Sequence, residues 1–348
     1  MTRESPPLLR DRPLRAADLW ALAGTALLLA LAWRLASVLL LGFAGVLLAL
    51  VLHRLAEPLH RRLGVAPRLA LAIVVIGLVV LSVLGLWLAG SGIAEQVQAL
   101  RETLPRAVDA LRRWLGGTAL GRSLLEFFNE AQMKPEDWSG LAGWATGTLN
   151  ATLSGIGGLV LLMVLGIYLA ADPQTYRRGL LRVVPPARRA RVESMLEAAG
   201  HDLSRWLLGQ AVSMSAVAAL TLIGLLAIGQ PLAVTLAVLA GLLDFVPYFG
   251  PIVAGVLIVA VALTESETRA LLALGVVVAV QQAEAFVVQP LAQRWAVRLP
   301  PVLGLLAVLV FGVMFGLAGV LLATPLMVLT LRVVDEWVVQ ELAQGSAK

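Results

Sequence analysis

Asp244 and Glu284 are the residues of this chain whose type and setting point most directly to chemistry. Both lie in stretches of otherwise lipid-soluble side chains, and both lie within a few residues of prolines. A carboxylate at bilayer depth is costly, and one found there usually faces a protein interior or a water-filled path and marks a solute or ion route. Gln281, Glu284 and Val288 fall on one helical face, so an amide and a carboxylate look into one cavity, with Gln282 beside them. For Asp244 the competing reading is a helix cap at the break made by Pro247. Glu284 stands away from any obvious helix end. A carboxyl group taken out of water favours its neutral form, which is the property a proton-coupled carrier uses.

The elements that must position these acids are set by composition. The chain has 348 residues, of which 59% are hydrophobic and 14% charged, with a mean hydropathy of +0.88. Soluble domains run at about 45–50% apolar and about 25% charged, so the expected fold class is an all-α polytopic membrane protein. About 7–8 transmembrane helices are expected, counting broken or re-entrant segments, together with an amphipathic helical region. The net charge of +5 comes from arginines in short tracts between apolar runs, which report topology and argue against nucleic acid as a partner. With no cysteine, disulfides and thiol chemistry are excluded. His53, His60 and His201 form no ligand constellation, and no metal or cofactor is expected. Nucleotide-binding loops and hydrolase motifs are missing too, so an enzyme is not expected.

Four regions follow: residues 1–92, an amino-terminal tail with three spans; 93–149, an amphipathic extramembrane region; 150–206, a fourth span and basic helices; and 207–348, a transport core. Leu19 to Trp33 and Leu35 to Leu52 read as an uncleaved helical hairpin turning at Arg34, and Leu69 to Gly92 as the third span. Ile93, Val97, Leu100, Leu104, Val108, Leu111 and Leu115 then form one apolar stripe, kinked at Pro105, which covers the protein's own surface or packs in an oligomer. Gly116, Gly117 and Gly121 end it, and Lys134-Pro135-Glu136-Asp137 opens another helix. After the span from Thr152 to Ala171, Asp172-Pro173 reads as an N-cap and first helical position. The basic tract Tyr176 to Trp206 is divided at Pro185-Pro186 and precedes a fifth span, Leu207 to Ile228. Trp20, Trp33 and Trp87 fit interfacial anchoring.

Basic residues number four in the amino-terminal tail, four from Arg54 to Arg68 and seven from Arg177 to Arg205, which predicts a cytoplasmic amino terminus.

The last third carries two interrupted apolar runs. Pro231 to Leu263 is 33 residues long, roughly 50 Å as one helix against hydrocarbon about 30 Å thick, so it must bend or break. Pro247, Gly250 and Pro251 mark the place. Pro300 to Leu331 repeats the problem with Gly312, Gly316, Gly319 and Pro325, and Pro290 interrupts the helix between the two runs. Gly312 and Gly316 read as a small-residue packing step. Paired, broken segments of this kind point to a transporter's binding site.

Gly209-Gln210, then Leu243-Asp244-Phe245-Val246-Pro247-Tyr248-Phe249-Gly250-Pro251, then Gln281 and Glu284 before Pro290, then Pro300-Pro301 and Gly316 to Pro325, resembles the autoinducer-2 exporter family of bacterial permeases. The resemblance covers most of the chain and is strongest from Arg177 onward. It implies a multi-pass inner-membrane exporter of small polar molecules, with autoinducer-2 the named substrate, and a homo-oligomer, a pentamer. Some members are described as sodium/proton antiporters. The family often carries asparagine where this chain has Asp244, and a polar residue where it has Ala285. The functional expectation is export of a small polar solute, with protons as the candidate drive. The alternatives are a sodium/proton antiporter and a non-transporting scaffold that organises partners in the lipid membrane.

Overall fold

The computed structural model describes residues 31, 34–117, 122–123, 156–293 and 300–335, and every element among them is helical. Most of the first expected span, Gly121, the helix expected at Lys134-Pro135, the start of the fourth span at Thr152 and the side chains of Trp20, Trp33 and Trp87 lie outside what is described. Large apolar side chains such as Val313 and Phe286 stand exposed on the outside, the arrangement of a bundle whose solvent is lipid.

α1 (Ala36–Leu63) ends with Arg61 and Arg62 in its last turn and Gly64 as a left-handed cap. This is the arginine-rich end of the molecule. α2 (Pro67–Gly117) leaves from there and runs unbroken for 51 residues, through Pro105, a length of about 76 Å. The third span and the first amphipathic segment are therefore one helix rather than two. The change of character at Ile93 is a change of surroundings: nothing between Gly92 and Glu95 removes a backbone donor, so the helix continues as its faces become polar.

α3 (Ile156–Ala171) packs along α1. A Cβ at Gly166 would lie 2.6 Å from Leu48, and one at Gly45 2.8 Å from Leu165, so both glycines are needed for the approach. α4 (Pro173–Val183) turns 88° from α3. The hydroxyl and N–H of Thr175 bond the Asp172 carboxylate at 2.8 and 3.2 Å and hold that carboxyl below its ordinary range, giving the expected N-cap. Arg177 ties α4 to α5 (Arg189–Ala227) through Glu193 and, at 2.8 Å, Glu197. α5 runs without a break through Trp206 and Leu207, carrying the basic tract directly into the apolar run.

The two interrupted segments both fold back on themselves. α6 (Ala233–Leu243) runs antiparallel to α5, with Gly241 against Met214 and Ala218. The chain reverses through Asp244–Tyr248, and α7 (Phe249–Leu263) returns until Val261 and Thr264 stand beside Pro231 and Leu232. Arms of about 16 and 22 Å cannot cross hydrocarbon about 30 Å thick. This first hairpin hangs from the far end of the bundle, where Gln96 of α2 accepts hydrogen bonds from the Thr235 N–H and hydroxyl at 3.3 and 3.0 Å. α8 (Glu267–Ala283) then crosses back, followed by a π turn (Glu284–Val288) and the short α9 (Gln289–Gln293).

α10 (Pro301–Val334) holds the second hairpin. Gly316 has φ 62° and ψ −143°, close to a region that only glycine occupies freely. A Cβ on Gly319 would fall 1.9 Å from the Phe311 carbonyl oxygen, and one on Gly312 2.9 Å from Val320. Residues eight apart would be about 12 Å apart along a straight helix. The chain therefore turns at Gly316, and Ala307 and Ala323 meet across the arms in one buried cluster. Gly312 does pack closely, as expected, and Gly316 breaks the helix as the interrupted run requires, but as a turn and not a packing step. Arg332 at the end of this hairpin bonds Asp202 in the basic half of α5, which returns it to the arginine-rich end. Pro325 is fully buried in the second arm.

Two outcomes check this description. Gly250→Ala, whose Cβ would lie 1.8 Å from the Leu243 carbonyl oxygen, and Gly319→Ala are each expected to lower stability by about 1–3 kcal/mol or more. Gly275→Ala, with nothing within 4 Å, should not; thermal unfolding in detergent decides. In this cysteine-free chain, cysteines replacing Arg62 and Val334 should react with an impermeant maleimide from one side of the membrane, and one replacing Glu265 from the other. Labelling of positions 334 and 265 from the same side would rule out the second hairpin.

Candidate functional site

The tip of the first hairpin meets α5, the π turn and the base of the second hairpin around a cavity of about 390 Å³. Ser213 of α5 marks its depth, roughly 16 Å along the helix from Asp202 and roughly 21 Å from Ala227 at the other end. The cavity therefore sits near the middle of the bundle. Asp244, Gln281 and Glu284 all line it, whereas Gln282 is exposed on the outer face. Pro247 and Pro251 form part of its wall, Gly250 is buried behind the tip, and Pro290, Gly316 and Gly319 lie outside it.

Asp244 is 2% exposed and Glu284 6%. Asp244 closes α6, but only its backbone caps: its N–H bonds the Ala240 carbonyl at 3.0 Å. Its side chain is left for the cavity, and Oδ2 has no hydrogen-bond partner among the described residues. Glu284 accepts from the Ser213 hydroxyl at 3.3 Å and, at the limit of 3.5 Å, from the Gln289 amide. The two carboxyl groups are close enough to act on each other electrostatically, with Ser213 facing both. Among the described residues no group of side chains is arranged to hold a metal ion.

Local backbone chemistry explains the placement. Pro290 has no N–H to offer the Phe286 carbonyl and its ring crowds that turn. The helix widens ahead of it, and the Gln289 N–H bonds the Glu284 carbonyl five residues back. In an α-helix residues five apart sit about 140° apart around the axis; the wider turn brings Gln289 round to Glu284. At the hairpin tip the Phe249 N–H bonds the Pro247 carbonyl at 2.9 Å, and Tyr248 between them has φ 68° and ψ −48°. That is the strained hand of the γ-turn. It places the Tyr248 ring 3.3 Å from where a Cβ on Gly304 would stand, at the base of the second hairpin. The Gln210 amide donates to the Asp244 carbonyl at 2.6 Å and anchors the tip to α5.

Sequence reasoning passed over Ser213, Gln289, Trp206, Tyr248 and Thr324, all of which line the cavity. Trp206, Gln210 and Ser213 recur at helical spacing in an otherwise apolar run, a signal that was present. Gln289 carried none, because only the π turn places it. His53 and His60 line a separate recess at the arginine-rich end with Arg61, Arg68 and Asp172, and the His60 Nδ1 lies 2.7 Å from the Val65 carbonyl oxygen.

Two opposed hairpins meet at buried carboxyl groups inside a helical bundle that crosses the membrane several times, which makes the chain a multi-pass membrane protein with broken helices at its centre. The chain belongs to the AI-2E transporter family: it matches the description "AI-2E family transporter" over residues 22–339. It is 33% identical over 227 residues to "Putative transport protein MT0215" of Mycobacterium tuberculosis, covering 63% of this chain and 61% of that protein. It is 24% identical to "Putative transport protein YrrI" of Bacillus subtilis over 51% of this chain and 53% of the relative. "Putative transport protein YueF" of the same organism is 24% identical over 81% and 80%. The chain thus spans less than two thirds of the length of the first two relatives.

Gln210→Leu is expected to lower stability by about 1–3 kcal/mol, since it leaves a buried carbonyl without its donor. Amide exchange at Val246 and Gly250 should quicken while that of Ala254 does not. Unchanged exchange at the tip would remove Gln210 as its anchor.

Proposed function

We propose that this protein exports a small polar solute through the cavity between the two hairpins, with Asp244, Gln281 and Glu284 lining the route and protons supplying the drive. The observation that carries the reading is that both acids, 40 residues apart in sequence, are buried on one mid-depth cavity. The hairpins beside it enter from opposite ends. A carboxylate kept there without full partners is a standing cost that a simple anchor has no use for. A solute or a proton arriving on it removes that cost. The family description supports an autoinducer-2-like signal or a related metabolite as cargo. In this reading the arginine-rich end and the amino terminus are cytoplasmic, the membrane is the bacterial inner membrane, and several copies assemble as a homo-oligomer such as a pentamer.

A sodium/proton antiporter is the second reading, favoured by the unpartnered Asp244 Oδ2, which could equally receive a bare cation. It shares the residues and differs in the cargo.

Glu284→Gln in proteoliposomes should slow solute flux about tenfold, the effect of losing roughly 1.5 kcal/mol of charge-assisted contact, without loss of folding. Unchanged flux would take Glu284 out of the mechanism. Alkalinisation of the vesicle lumen on adding sodium outside, with no organic solute present, would favour the antiporter.

A further inference from the structure

The charges around the cavity narrow the class of solute, on the footing that the cavity carries solute at all. Two carboxyl groups face it, and none of the described residues lining it is a lysine, arginine or histidine. Asp244 Oδ2 is buried and has no donor among the described residues. The neighbouring donors point elsewhere: the Gln210 amide gives one N–H to the Asp244 carbonyl, and the Ser213 hydroxyl, which faces both acids, bonds Glu284 at 3.3 Å. An anionic solute would add a further negative charge to this site. A neutral polyol, the chemistry of an autoinducer-2-like cargo, offers Oδ2 a hydroxyl donor but no charge to set against the two acids. A positive charge offsets them, and an N–H on that charge also supplies the donor that Oδ2 lacks. The cavity's 390 Å³ is many times the roughly 30 Å³ share of one water, far more than an alkali ion fills. Trp206 and Tyr248 line it as well, an apolar surface against which a carbon body packs.

We infer that the solute is a small organic cation with a protonated primary amine, whose charged end docks between Asp244 and Glu284 and whose carbon body lies against Trp206 and Tyr248. The carboxylate oxygen that accepts from the ammonium cannot hold a proton at the same time. Release of the amine and arrival of a proton are therefore tied together, with Tyr248 the remaining titratable group on the cavity. This couples outward solute movement to inward proton movement without a second site.

The test uses the full chain in nanodiscs and three four-carbon probes that share one hydroxyl and differ in the second group, aminobutanol, butanediol and hydroxybutyrate, with sodium chloride as a fourth arm. Calorimetric binding should favour aminobutanol over the neutral and anionic probes by about tenfold or more, and Asp244→Asn should weaken it by about the same factor. The wild-type panel alone decides if that variant does not fold. Equal binding of butanediol, or a response to sodium alone, overturns the amine assignment. Flux of butanediol through the reconstituted protein with no binding of aminobutanol overturns it too, yet leaves the transport reading standing. Absence of flux and of binding for every probe overturns both.

Discussion

Inside hydrocarbon every backbone donor and acceptor must find a partner within the protein, and this requirement governs the whole architecture. A tight turn cannot sit against lipid with its carbonyls bare. Among the described residues, the reversal at Asp244–Tyr248 is accordingly a place where other elements converge. The Asp244–Tyr248 turn is enclosed by α5, the π turn and the second hairpin, with Gln210 meeting one carbonyl and the chain's own amides meeting others. The Gly316 turn is made by the one residue type that tolerates its dihedrals, and its arms pack on each other through glycine and alanine. At the Asp244–Tyr248 turn irregular backbone and polar side chains occur together for one reason: both need the same shelter.

That shelter also explains how two acids distant in sequence become one site. Asp244 is delivered by a reversal of direction and Glu284 by a widening of a helix, and proline is involved in both. Pro247 ends α6 one turn after Asp244, and Pro290 forces the turn that opens at Glu284. Neither acid depends on a long flexible loop. Each is held by backbone whose shape is fixed by a missing N–H, so the geometry of the pair is a property of the scaffold.

Much of this was legible from residue order, and the failures are informative. The runs too long to cross once could be seen from length alone, and Pro247 and Gly250 named the first break. The sense of each break could not be read. A kinked span and a hairpin differ only in whether the arms pack on each other, and that depends on contacts such as Gly319 against the Phe311 carbonyl. The line drawn at Ile93 between a span and an amphipathic segment followed a change in polarity, but polarity describes surroundings and not helix continuity. Gln281 and Glu284 were placed on one face correctly by α-helical spacing, whereas Gln289 escaped because that spacing fails at a π turn. Gln282 was included only by adjacency and faces outward.

The hairpins bear on how such a chain is inserted. A segment that enters and leaves by the same face adds no crossing, so removing or lengthening it leaves the sidedness of everything downstream as it was. The arginine-based signals that orient the chain act on the loops between crossings, and neither Asp244–Tyr248 nor Gly316 belongs to such a loop. The residues at the heart of the molecule are thus exempt from the rules that set its orientation in the bilayer, and they are free to vary while biogenesis stays the same.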